Sequence, residues 1–195
     1  MNGISLLMLV IFSAFTMNLT LQCALGIKGA AVWSNRGKKT SFIRLLIIFI
    51  SVILLWFLFS KIHNSIFPGM LVFILMFPVS YMIYSGLEYL VFKYLLKENI
   101  EDENFISFPE GITAAAVLIC LIVADGFLEV FFLSFGFTAG ILLVIIIIRE
   151  IKKRAELEAV PRFIRGTPLV LITMGMLSLI FTAGSLLILG IIFAK

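Results

Sequence analysis

Charged and metal-ligating side chains are scarce in this chain. Only 13% of its 195 residues are charged, compared with about a quarter in soluble domains, and it has one histidine and two cysteines. Two cysteines inside apolar segments do not form a disulfide framework. The sequence contains no hydrolytic triad, phosphate-binding loop or histidine–carboxylate cluster. No charged residue precedes Lys28, so we expect no cleaved signal peptide. These scarcities argue against a soluble enzyme.

Long apolar runs dominate what is present, since 62% of the residues are hydrophobic. A membrane-spanning helix needs about 20 predominantly apolar residues. Six candidate segments occur in the chain: 4–27, 42–60, 67–92, 112–124, 128–148 and 168–193. The sequence therefore predicts an all-α integral membrane protein with six transmembrane helices in a single membrane domain.

Two of these segments are irregular. The first carries Asn18, Thr20 and Gln22 inside its apolar run and ends with glycines around Lys28. Polar, glycine-interrupted backbone survives in hydrocarbon only where protein or water surrounds it, so we expect this stretch to line an interior. The fourth segment is too short to cross alone, because Asp125-Gly126 ends it. The two open the halves 1–97 and 98–195, which predicts a 3+3 inverted repeat with a site at the midplane.

The positive charges indicate the orientation. Thirteen of the fifteen Lys and Arg residues fall in the loops after the first, third and fifth spans, if the first loop is counted through Arg44 and the last from Arg149. Only Lys61 and Lys195 lie on the other side. Because cytoplasmic loops carry the excess of Lys and Arg, we expect both termini outside and the basic loops in the cytoplasm.

Three carboxylates are candidates for an ion path. Asp125 and Glu129 lie four residues apart at the turn between the fourth and fifth segments, where a helix would place them on one face. The alternative is a polar turn that only joins two spans. Glu88 lies near the cytoplasmic end of the third span and either lines a path or faces water. Lys28 is either a charge at the midplane or a side chain that reaches the interface.

Several short motifs in the chain resemble the membrane subunits of the Rnf/Nqr family, in the RnfA/NqrE-like branch. In the last span, an Arg-Gly at 165–166 precedes a helix that reads Leu-Ile-Thr-x-Gly-x-x-Ser-Leu from Leu171 to Leu179. The other matches are Ile148-Arg149-Glu150, Glu88, Pro109 with Ile112-Thr113, and Asn18 with Leu25-Gly26. Taken in order, these matches extend over essentially the whole chain.

The resemblance implies a subunit of a complex that couples electron flow from NADH or ferredoxin to the pumping of sodium or protons. It implies the bacterial or archaeal inner membrane and a homologous six-span partner in the opposite orientation, along with further redox subunits. Nucleic acid is not an expected partner. In the family, each of the two subunits gives one cysteine from its first and one from its fourth segment to a shared [2Fe-2S] cluster. Such a subunit is not catalytic by itself.

This chain departs from the family at the cluster positions, which are Lys28 and Ala116 here. Neither side chain supplies the thiolate that iron in such clusters requires. Cys23 precedes Lys28 by five residues and Cys120 follows Ala116 by four; they are either displaced substitutes or two buried small hydrophobes. We therefore expect no cofactor or metal ligands of its own. The alternative function is a small transporter or channel-like protein that kept the fold without electron transfer.

Overall fold

The computed structural model describes residues 3–26, 29–30, 38–63, 69–96, 111–157, 161 and 166–193. Within these ranges every regular element is a helix. In chain order they are α1 (Gly3–Ile11), a π-helical turn (Phe12–Thr16), α2 (Leu19–Gln22), α3 (Lys38–His63), α4 (Gly69–Val91), a second π-helical turn (Phe92–Leu96), α5 (Ile112–Val123), α6 (Phe127–Leu157) and α7 (Thr167–Phe193).

Five stretches of these helices are long and apolar enough to cross a membrane. They are Ser5–Gln22, Lys39–Lys61, Ile74–Tyr94, Phe127–Ala155 and Pro168–Leu187. The helix α5 has 12 residues and so rises about 18 Å, against a hydrocarbon core of about 30 Å. The prediction that the fourth segment is too short to cross is confirmed. Helices of this number and composition are those of a multi-pass membrane protein.

The core lies between α3, α5 and α6. Its positions recur every three or four residues, which is the period of one helix face. In α3 they are Leu45, Ile48, Val52, Leu55 and Phe59, and in α6 they are Val130, Leu133, Phe137, Ile141, Val144 and Ile148. The opposite face of α3 is also apolar and is exposed, as at Leu46, Ile50 and Leu54. An apolar outer face of this kind suits a lipid environment.

Contacts along α6 give the helix directions. The α6 guanidinium of Arg149 lies 3.4 Å from the Ser41 hydroxyl at the start of α3, whereas Phe131 near the start of α6 contacts Phe49 further along α3. The helices α3 and α6 therefore run antiparallel. The first segment runs parallel to α6, because its earlier residues face Gly136 and its later residues face Gly140.

Two helix ends differ from the sequence-based boundaries. The loop predicted to begin at Arg149 is helical as far as Leu157, and α3 begins at Lys38, four residues before the predicted span 42–60. Arg44 lies within α3, so counting it among the loop cations was wrong. Hydropathy marks where a chain leaves hydrocarbon, but a helix continues in water wherever its backbone bonds persist. An ion pair between Glu150 and Arg154, four residues apart with Nε and Oε1 separated by 3.3 Å, supports the extension of α6.

Candidate functional site

The break in the first segment is stabilised by one buried amide. Asn18 caps α2: its Oδ1 accepts hydrogen bonds from the backbone N–H groups of Thr20 at 3.2 Å and Leu21 at 3.3 Å. Its Nδ2 donates to the carbonyl oxygen of Ala14 at 3.0 Å. A break releases backbone donors and acceptors that hydrocarbon cannot satisfy. Asn18 supplies partners on both sides of this break, which explains a buried polar residue in an apolar run.

The break lies beside Gly140 of α6. A Cβ atom at Gly140 would lie 2.7 Å from the Ala14 carbonyl oxygen and 2.9 Å from Asn18 Nδ2, so only glycine allows this approach. Along α6, Gly140 is about 20 Å from Phe127 and about 14 Å from Arg149. The irregular backbone therefore packs against the apolar part of α6.

The two interrupted segments meet directly after α2. The chain turns through left-handed backbone at Ala24, with φ of 54°, and at Gly26, with φ of 72°. The side chain of Ile112, the first residue of α5, fills the space that a Cβ on Gly26 would occupy. Gly111, with φ of 81°, starts α5 beside Leu25. We call the contact of residues 18–26 with residues 111–112 the junction.

The two cysteines lie in different environments. Cys23 ends α2 and is exposed, whereas Cys120 in the last turn of α5 is fully buried. Ala116, one turn before Cys120, is buried in the same core. The interpretation of both cysteines as buried small hydrophobes is therefore wrong for Cys23. Lys28 lies outside the described residues. In the ranges that the structure covers, no three His, Cys, Asp or Glu side chains group together as a metal site.

An exposed polar edge lies beside the junction. It consists of Gln22, Cys23 and Ala24 from the first segment and Thr182 from α7, all exposed on the surface of the chain. Gln22 Nε2 donates to Thr182 Oγ1 at 3.0 Å, and the Thr182 hydroxyl also donates to the carbonyl oxygen of Ser178 at 2.8 Å. Gln22 is the last residue of the apolar stretch Ser5–Gln22, so this polar edge lies where that stretch ends.

A buried ion pair that the sequence analysis did not find joins α3 to α4. Arg44 Nε lies 3.2 Å from Glu88 Oε1, and the two side chains are 0% and 5% exposed. The Arg44 guanidinium also lies 5.5 Å from the ring centroid of Phe92. Glu88 does not face water, because this pair and the surrounding helices bury it. The sequence does place an arginine and a glutamate near the same end of two successive apolar spans, which could have indicated this pair. Arg44 was instead counted as a loop cation.

Asp125 and Glu129 form a local cap. The Asp125 N–H donates to Glu129 Oε2 at 2.8 Å, and Glu129 lies in the first turn of α6. The structure does not bring Glu88 together with these two residues. Glu88 and Arg44 are near Arg149 at the far end of α6, and 20 residues of helix between Glu129 and Arg149 rise about 30 Å.

No family model matches the chain, and no curated protein matches it.

Proposed function

We propose that this chain is a membrane subunit of an Rnf/Nqr-type ion-translocating electron transport complex that supplies no [2Fe-2S] ligands of its own. The resemblance of ordered motifs along the whole sequence is the basis for the family. Electron flow from NADH or ferredoxin and the pumping of sodium or protons belong to the complex, and the chain acts as a structural or ion-path component.

The observation that carries the proposal is the junction. In the resemblance, the first and fourth segments each provide a cluster position, so the two segments have to approach each other within the membrane. Here Gly26, two residues before Lys28, contacts Ile112, four residues before Ala116. A contact between the two interrupted segments also supports a 3+3 inverted repeat in which α5 is the short fourth segment.

The residues at these positions do not fit the cluster. The methyl group of Ala116 lies in the core, and a methyl cannot replace a thiolate as an iron ligand. Cys120 is fully buried and Cys23 is exposed, so the two thiols do not face a common space at the chain surface. We therefore derive no electron-transfer step through this chain.

The polar edge supports a protein partner at the junction. The exposed Gln22 and Thr182 side chains hydrogen-bond to each other, and the left-handed backbone at Ala24 follows directly after the apolar stretch Ser5–Gln22. Irregular backbone at membrane depth is tolerated where protein covers it. We propose that the homologous, oppositely oriented six-span subunit covers this edge. We also propose that the chain lies in a bacterial or archaeal inner membrane, with both termini outside and the basic loops in the cytoplasm.

The ion path through Glu88, Asp125 and Glu129 is part of the same proposal. The ion pair of Glu88 lies near one end of α6 and the Asp125–Glu129 cap lies at the other, about 30 Å apart along the helix. This placement supports two separate entrances to an ion path more than it supports a single binding site.

A photo-cross-linker on Cys23 tests the partner. The chain carrying Cys120→Ala is expressed in its native host, and a benzophenone maleimide is attached to Cys23, which is exposed. We expect a cross-link to a second membrane subunit of similar size and co-purification of flavin- and iron-bearing subunits. The matched control is Cys23→Ala, in which the remaining Cys120 is buried and should not be labelled. Cross-links to lipid alone would overturn the proposal.

The alternative is a small transporter or channel-like protein, and the buried Arg44–Glu88 pair is the observation that favours it. Intramembrane ion pairs often mark a substrate or ion pathway. The test is sodium or proton flux into liposomes that contain the purified chain alone. We expect none; flux that Glu88→Gln abolishes would favour the transporter.

A further inference from the structure

A groove lies between the start of α3 and the end of α6, away from the junction. Its cavity volume is about 520 Å³, within the range of roughly 300–1,000 Å³ that is typical of ligand sites. Its polar lining includes Lys39, Ser41, Arg149 and Glu150. The first two come from α3 and the last two from α6, so the groove depends on the antiparallel packing of these helices.

The groove changes from polar to apolar along the helix axis. Its apolar wall includes Phe42 from α3 and Leu142 and Ile146 from α6. Phe42 is 53% exposed and Ile146 is 54% exposed, so both side chains are open to a ligand. Arg149 lies about 33 Å along α6 from Phe127, which is just beyond a hydrocarbon core of about 30 Å. The polar lining is therefore level with lipid headgroups, and the apolar wall is level with acyl chains.

Among the described residues that line the groove, positive charges outnumber negative ones. Lys39 is exposed in the first turn of α3, and Arg149 is held in place by its contact with the Ser41 hydroxyl at 3.4 Å. The one acidic group in the lining, Glu150, is balanced by Arg154, whose Nε lies 3.3 Å from Glu150 Oε1. The described lining therefore carries two cations, Lys39 and Arg149, against one carboxylate.

We infer that this groove binds an anionic glycerophospholipid, with its phosphate between Lys39 and Arg149 and one acyl chain along Phe42 and Ile146. Basic pockets between transmembrane helices at headgroup level recognise such headgroups. A guanidinium and an ammonium can both donate hydrogen bonds to the oxygens of one phosphate. The adjoining apolar wall favours a lipid over a soluble phosphate. The inference does not depend on the function proposed above.

The test measures lipid binding to the purified full chain in a neutral detergent by native mass spectrometry. Three probes are titrated: phosphatidylglycerol, phosphatidylcholine and inorganic phosphate. We expect tight binding of one phosphatidylglycerol. The double variant Lys39→Gln, Arg149→Gln should weaken it about 30-fold, since each interfacial cation accounts for about a fivefold factor. The matched control is Lys61→Gln, Lys153→Gln, which removes two exposed cations outside the groove lining and should leave binding unchanged.

Three results would overturn the inference. Phosphatidylcholine could bind as tightly as phosphatidylglycerol, the control could lose as much affinity as the groove variant, or inorganic phosphate could displace the lipid. If the double variant fails to fold, the single variant Lys39→Gln replaces it, because that side chain is exposed. It should weaken binding about fivefold, and unchanged affinity would then count against the site.

Discussion

The junction and the Arg44–Glu88 pair are both polar regions within apolar helices, and they are stabilised in different ways. At the junction a neutral amide, Asn18, hydrogen-bonds to backbone groups that a helix break releases. At the pair, two full charges 3.2 Å apart join helices that are not broken there. Polarity at the junction therefore serves an irregular backbone, whereas polarity at the pair links two helices through their side chains. This difference predicts how each region responds to substitution.

The largest effect is expected at the ion pair. Arg44→Met leaves the Glu88 carboxylate buried without its cation, and breaking a buried pair in this way costs about 3–5 kcal/mol of unfolding free energy. Unfolding in mixed detergent micelles, followed by circular dichroism, measures the loss. The double variant Arg44→Met, Glu88→Leu removes both charges and should recover most of it. A double variant as unstable as the single one would mean that packing, and not charge, joins α3 to α4.

A smaller loss is expected when the junction is pushed away from α6. Gly140→Ala places a methyl 2.7 Å from the Ala14 carbonyl oxygen, and overpacking of this kind costs about 1–3 kcal/mol. The control is Gly184→Ala in α7, where nothing lies within 4 Å and the helix propensity of alanine should make the change neutral or stabilising. Thermal unfolding of the two variants in the same detergent gives the comparison. Equal effects would show that the first segment does not pack closely on α6.

The next largest loss of stability is expected when the Asn18 cap at the break is removed. Asn18→Ala removes the acceptor for two backbone N–H groups, which costs about 1–2 kcal/mol. Ser134→Ala is the matched control, because Ser134 is buried and donates to the carbonyl of Val130 in its own regular helix. Hydrogen exchange of the α2 amides should rise in the first variant and not in the second. Unchanged protection of the α2 amides would mean that Asn18 does not stabilise the break.

The smallest effect is expected at the turn between α5 and α6. Glu129→Ala removes the acceptor for the Asp125 N–H and a carboxylate from the first turn of α6, worth about 0.5 kcal/mol. Urea or detergent titration of the variant measures this difference. A loss as large as that of Arg44→Met would mean that Glu129 does more than cap a helix.

Much of the helical layout follows from the sequence, but the side-chain pairing does not. The apolar runs predicted the spans and the short α5, because hydropathy and length determine what can cross a bilayer. The break at Asn18 was predicted from its polar residues, and the structure identifies the hydrogen bonds that hold it. Arg44 was counted with the loop cations because it lies near the start of its span, whereas a carboxylate on a neighbouring helix keeps it buried.

The positions of the two thiols also lay beyond sequence reasoning. Both fall in apolar runs, yet Cys23 is exposed because α2 ends there and the chain turns at Ala24, while Cys120 points into the core. Hydrophobicity around a residue does not reveal whether its side chain faces the core or the surface. The membership in the Rnf/Nqr family, the six spans and the inverted repeat stay predictions.

The central claim is that the chain belongs to a redox complex but supplies none of its iron ligands. Iron and acid-labile sulfide, with the EPR spectrum of the dithionite-reduced sample, test this most directly. They are measured on the protein purified from its native membrane with its partners, as wild type and as Cys23→Ser, Cys120→Ser. We predict that iron-bearing partners co-purify and that iron per complex is the same in both. A chain that purifies without iron-bearing partners, or a [2Fe-2S] signal that disappears in the variant, would contradict the claim.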